Sequence, residues 1–74
     1  MVSENARRER LRKELRDARK RANLKQVEVG AMLGKPQSYI AKVENGERRI
    51  DFIETIQLCK VVGLDPIQLV EILT

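Results

Sequence analysis

The sequence predicts an all-α domain of five short helices. Three observations carry this. Apolar residues recur every three or four positions from Leu11 onward, the period of a helix face. Punctuation then divides the chain: Asn23, Gly34, Asn45-Gly46 and Gly63 read as stops, and Pro36, Asp51 and Asp65-Pro66 read as starts. Finally, no repeat, low-complexity segment or linker interrupts the 74 residues, so 1–74 reads as one domain. A chain this short buries about 60% of the surface that its unfolded form exposes, so helix packing or a partner subunit must supply stability.

Residues 1–5 read as a frayed start, with Ser3 or Asn5 available as a cap. The first helix is expected from Ala6 to about Ala22. Leu11, Leu15, Ala18 and Ala22 form one narrow apolar stripe, and almost every other position is charged. Glu9 with Lys13, and Asp17 with Arg21, are spaced as i,i+4 pairs with the acid first. Arg19, Lys20 and Arg21 suit the negative end of the helix dipole. Asn23 ends the helix, and Leu24 returns the chain to the core.

The second helix is expected over Gln26–Leu33, after a poor N-cap at Lys25. Gly30 lies on its inner face between Val29 and Leu33, where Gly costs about 1 kcal/mol against Ala. Close approach of another helix is the expected compensation. Gly34 stops the helix, and Pro36 fits the first position of the third. That third helix runs from Pro36 or Gln37 to about Glu44. Ile40 and Val43 face inward, Gln37, Ser38, Ala41 and Lys42 face outward, and Tyr39 is intermediate. Two helices joined by a short Gly-containing turn form a helix-turn-helix unit, here about 26–45. Gln37, Ser38 and Lys42 carry side chains that hydrogen-bond base edges and phosphates. The residues therefore point to a DNA-binding module.

Asp51 with Glu54 three positions on resembles a capping box at the start of the fourth helix. Phe52, Ile56, Cys59 and Val62 form one face, while Ile53, Leu58 and Val61 lie off it. A helix apolar nearly all round is expected to be buried on more than one side. Asp65 and Pro66 open the fifth helix. Its Ile67, Leu69, Val70, Ile72 and Leu73 are too many for one half-buried face.

Charge is distributed unevenly around the net +4. Residues 1–25 carry ten Lys/Arg against four Asp/Glu, whereas residues 51–74 carry one against four. A basic end favours polyanions, although a solvated charged helix gives the same count. Cys59 is the only cysteine, lies in an apolar run and reads as a buried structural thiol. A chain that needs no disulfide suits a reducing cytoplasm. No apolar run approaches the ~20 residues that span a bilayer, and the charged N-terminus is not a secretory signal. There is no histidine, no glycine-rich phosphate loop and no base beside Ser3 or Ser38, so neither a metal, a cofactor nor an enzyme is expected.

The span from about Arg12 to Leu69 resembles the helix-turn-helix domain of the Cro and lambda-type repressor (XRE-type) family. Leu24-Lys25-Gln26, Val29-Gly30, Leu33-Gly34, Gln37-Ser38, Ile40, Val43-Glu44-Asn45-Gly46, Arg48 and Leu64 carry the likeness. The resemblance implies a five-helix domain that binds double-stranded DNA as a dimer, with the third helix in the major groove. It implies base reading by Gln37, Ser38 and Lys42. It implies phosphate contacts by Gln26, Asn45, Gly46 and Arg48, with Arg49 as a weaker match. Gln26 also braces Gln37 in that pattern, and Arg19 pairs with Glu44. Lys25 adds a charge that reaches phosphate, and the Tyr39 phenol is divided between a core edge and a phosphate contact. Without the resemblance, Gln37 and Ser38 are also ordinary first-turn residues, Gln26 an exposed helix start, and Lys42, Arg48 and Arg49 solvated charges. Lys25 and Pro36 stand where the family usually has Ser or Thr, and Gly30 where it usually has Ala. With no ligand-sensing or oligomerisation domain expected after the fifth helix, the apolar excess at Ile53, Val61, Ile67, Val70 and Ile72 is the expected dimer surface.

The leading expectation is a small prokaryotic or phage transcriptional regulator, a repressor, that binds a roughly palindromic operator. An antitoxin with a protein partner, or a restriction-modification controller, shares the fold. A protein-interaction module without DNA binding is the alternative of a different class.

Overall fold

Ser3, rather than Asn5, caps the first helix: its Oγ accepts the Ala6 N–H at 3.1 Å. In a computed structural model of the chain, residues 3–74 are described, and they form five α-helices. These are α1 (Glu4–Arg21), α2 (Gln26–Leu33), α3 (Gln37–Asn45), α4 (Phe52–Val62) and α5 (Pro66–Leu73). Met1 and Val2, in the expected frayed start, lie outside the described residues, whereas Glu4 and Asn5 are helical. The helix therefore begins two residues earlier than its apolar pattern indicates.

Stops follow local chemistry. Asn23 has φ 58°, and Gly34, Gly46 and Gly63 are left-handed at 68°, 87° and 76°, so each turns the chain without extending its helix. At α4, Asp51 accepts the Glu54 N–H at 2.8 Å while Glu54 accepts the Asp51 N–H at 3.0 Å, a reciprocal capping box. At α2 only half of such a box exists. Glu28 accepts the Lys25 N–H at 2.8 Å, but a lysine ammonium has no acceptor to return.

The expected α1 ion pairs are replaced by others. Lys13 pairs with Asp17 at 2.8 Å, Arg10 with Glu14 at 3.0 Å and Arg8 with Glu4 at 3.3 Å. Lys13 lies between Glu9 and Asp17, each four positions away, and reaches the latter. The Lys13 bond holds the Asp17 carboxyl below its usual range.

The core gathers Leu15 and Ala18 from α1, Val29 from α2, Ile40 and Val43 from α3, and Leu58, Cys59 and Val62 from α4. Leu64 and Leu69 complete it. Each large aliphatic side chain so buried contributes about 1.5–3 kcal/mol. Burial raises the Cys59 thiol pKa, as expected of an inert structural thiol. Ala22, expected on the α1 stripe, is exposed because the helix ends there. The α4 expectation also changes. Leu58 joins the core, Ile56 is half-buried, and Phe52 is 72% exposed. Only the C-terminal half of α4 supplies fully buried side chains, so its first turn presents Phe52 and Ile53 to solvent.

Candidate nucleic-acid interface

The turn between α2 and α3 decides where α3 points. Gly34 reverses the chain, and the Lys35 N–H donates to the Gly30 carbonyl at 2.8 Å. A Cβ on Gly30 would lie 2.6 Å from the Lys35 carbonyl oxygen and 3.3 Å from Pro36 backbone atoms. The close approach expected at Gly30 is thus made by the turn itself, not by another helix. Pro36 is extended (φ −71°, ψ 160°) and serves as the N-cap of α3 rather than its first helical residue. Without an acceptor on its ring, it leaves the first α3 N–H groups without a side-chain cap.

Gln37, Ser38 and Lys42 are all exposed on α3, opposite the buried Ile40 and Val43. The first of them is tied back through a connected set of hydrogen bonds. Gln37 Nε2 approaches Gln26 Oε1 at 3.4 Å, and Gln26 Nε2 donates to Glu44 Oε1 at 3.0 Å. Glu44 accepts Arg19 Nε at 2.6 Å and Arg19 Nη2 at 3.0 Å, a bidentate pair, while Arg19 Nη1 donates to the Leu24 carbonyl at 2.8 Å. The Arg19 and Glu44 side chains are only 11% and 10% exposed. Such a shielded, fully bonded pair sets geometry more than it adds stability. Here it locks α1 against α3 and anchors Gln26 beneath Gln37.

A second carboxylate organises the other side of α3. Glu54 Oε2 accepts the Tyr39 hydroxyl at 2.7 Å and Arg48 Nη2 at 3.0 Å. The Asp51 N–H bond first, and then those from Tyr39 and Arg48, hold the Glu54 carboxyl down at about 2. Tyr39 is raised by burial and by Glu54. The Arg48 guanidinium lies 4.9 Å from the Tyr39 ring centre and Lys35 Nζ 5.3 Å from it, within cation–π range. The tyrosine thus belongs to the half-buried edge of the core, with its hydroxyl engaged by Glu54. Glu54 itself reads in sequence only as a capping residue. The spacing 39–48–54 has no periodic signature, so nothing short of the tertiary structure reveals the cluster.

At the end of α3, Asn45 accepts the Glu47 N–H at 3.0 Å and donates to Glu47 Oε1 at 3.3 Å. Gly46 and Arg49 are exposed in the same loop, and Lys25 is exposed at the start of α2. Of the expected dimer surface, Ile53, Ile67 and Val70 are 63%, 71% and 55% exposed. Ile72 is half-buried, and Val61 packs against the core. That reassigns Val61, while Phe52, expected inside, joins the exposed apolar set.

A helix-turn-helix family model matches residues 15–69. A solved structure described as an XRE-family like protein from Pseudomonas syringae pv. tomato str. DC3000 superimposes with a TM-score of 0.88 at 45% sequence identity. The match covers 93% of this chain and 84% of that one. The chain belongs to the XRE-type helix-turn-helix family. No curated protein matches it. The XRE-type domain therefore has the fold of DNA-binding regulators, with helix-turn-helix elements α2 and α3. Among its described residues no three His, Cys, Asp or Glu side chains gather as metal ligands, and no helix is long and apolar enough to cross a membrane.

Proposed function

We propose that this XRE-type domain binds double-stranded DNA sequence-specifically as a homodimer and acts as a small transcriptional repressor. The observation that carries the reading is the Arg19–Glu44–Gln26–Gln37 network. It holds one exposed amide at the start of α3 on a fixed base, as a side chain that recognises a base edge requires. In the major groove Gln37 bonds bidentately to adenine N6 and N7, with Ser38 and Lys42 reading neighbouring positions. Lys25, Gln26, Asn45, Gly46, Arg48 and Arg49 lie along phosphates, which set register and affinity. Phe52, Ile53, Ile67 and Val70 supply apolar surface for a second copy, whose α3 then sits about 34 Å away, one turn of a roughly palindromic operator.

DNA selection from a random pool, followed by binding of the enriched duplex, tests the reading. Gln37→Ala is expected to weaken the enriched duplex by about 1–3 kcal/mol while leaving random DNA nearly unaffected. Equal loss on both removes the base-reading role. Sedimentation of the chain tests the dimer. Ile67→Asp is expected to raise the dissociation constant, and a wild-type monomer at high micromolar concentration, with and without DNA, refutes it.

A further inference from the structure

The N-terminal half of α1 forms a groove of about 250 Å³ with the α3–α4 loop. Four arginines line it: Arg8 and Arg12 from α1, and Arg48 and Arg49 from the loop. Arg8 and Arg12 are one helical turn apart and share a face. They precede Leu15, where the family match begins. Leu11 and Val43 give the groove an apolar floor, and Glu9 is its single carboxylate. Gly46 makes room for Arg12. A Cβ there would lie 3.0 Å from the Arg12 guanidinium carbon, so the cation sits against the C-terminal end of α3.

The charges are not balanced within the fold. Arg8 is paired with Glu4 and Arg48 with Glu54. Arg12 and Arg49 form no ion pair among the described residues. Guanidinium groups converging from two sides over an apolar floor repel one another, and an anion between them removes that repulsion. A guanidinium fork bonds two phosphate oxygens at once, and a phosphate has enough oxygens to accept forks from α1 and from the loop together. We propose that this groove binds a phosphate group, held by Arg8 and Arg12 from one side and Arg49 from the other. Two sources offer that chemistry: a backbone phosphate of DNA bound by α3, or a free phosphate-bearing small molecule. The first rests on the proposed function, and the second is independent of it.

Two measurements on the full chain separate these sources. Inorganic pyrophosphate is titrated at constant ionic strength while the arginine Nε–H signals are followed by NMR. Saturable shifts at Arg8, Arg12 and Arg49 are expected, with affinity about tenfold weaker in Arg49→Gln. Arg12→Gln is the second variant, accepted only if its thermal melt matches the wild type, because Arg12 packs against Gly46. In parallel, binding of a duplex of about three helical turns is measured against salt. If the phosphate is DNA's, each variant lowers the log–log salt slope by about 0.9 per bound protomer, the value for one phosphate contact, and so by about 1.8 for a dimer. Pyrophosphate binding with an unchanged slope assigns the groove to a free phosphate compound. No saturable shift together with unchanged slopes overturns the proposal. A wild type that binds no duplex defeats the proposed function, while the pyrophosphate titration still decides the groove.

Discussion

Glu44, on α3, and Glu54, on α4, have the same chemistry and opposite surroundings. Glu44 is 10% exposed, grips Arg19 with both oxygens and holds Gln26. Glu54 is 21% exposed, spans a helix cap, a phenol and a loop arginine that is itself 46% exposed. The first has fixed partners on two other helices, α1 and α2, so it serves as a structural pin. The second holds a half-buried phenol and an arginine that remains open to solvent. A carboxylate's role is therefore set by how rigid and how dry its partners are, not by how many it has.

Breaking the pin should produce the largest effect. Glu44→Ala leaves Arg19 shielded and without its carboxylate, and a loss on the order of 3 kcal/mol is expected in urea unfolding. A loss below about 1 kcal/mol makes the pair an ordinary surface bridge. Next comes Gly30→Ala. Alanine gains about 1 kcal/mol in helix propensity, but its Cβ meets the Lys35 carbonyl at 2.6 Å. Forcing the turn apart costs about 1–3 kcal/mol, so a net loss of stability and a displaced α3 are expected. A stabilised Gly30→Ala shows instead that the turn gives way freely.

The smallest effect concerns Glu54, and it depends on pH. Its folded pKa of about 2 lies below its ordinary 4.5. Its contribution is therefore complete above about 4.5 and is lost as pH falls toward 2. Comparing unfolding free energy over that interval for wild type and Glu54→Gln should show a steeper acid loss in the wild type. Asp17 is present in both proteins and cancels. Coincident profiles remove Glu54 as the organising group.

Much of this was legible in order along the chain. Asp51 with Glu54, Asp65-Pro66, Gly34, Asn45-Gly46 and Gly63 mark ends because capping is local. Ile40 and Val43 show the inner face of α3, so its exposed Gln37, Ser38 and Lys42 follow by periodicity. The Arg19–Glu44 pair and the Gln26–Gln37 brace came from family resemblance, since 25 and 11 residues separate the partners. Expectation and structure part where two local options compete. Lys13 had carboxylates on both sides, Pro36 fitted either of two adjacent positions, and Phe52 matched the α4 period while lying beyond the buried half of that helix.

By itself, the sequence determined five helices, the caps at Asp51 and Asp65 and the stops at Asn23, Gly34, Gly46 and Gly63, a basic end and an acidic one, and the side chains that α3 can present. These depend on interactions within about four residues, where spacing is enough. Only the tertiary structure decided that the turn occupies the space beside Gly30, that Glu54 joins Tyr39 to Arg48, and that Arg8 and Arg12 face Arg48 and Arg49 across one groove. Those juxtapositions arise from how α1, α3 and α4 pack around a shared core, and packing unites residues that no sequence period connects.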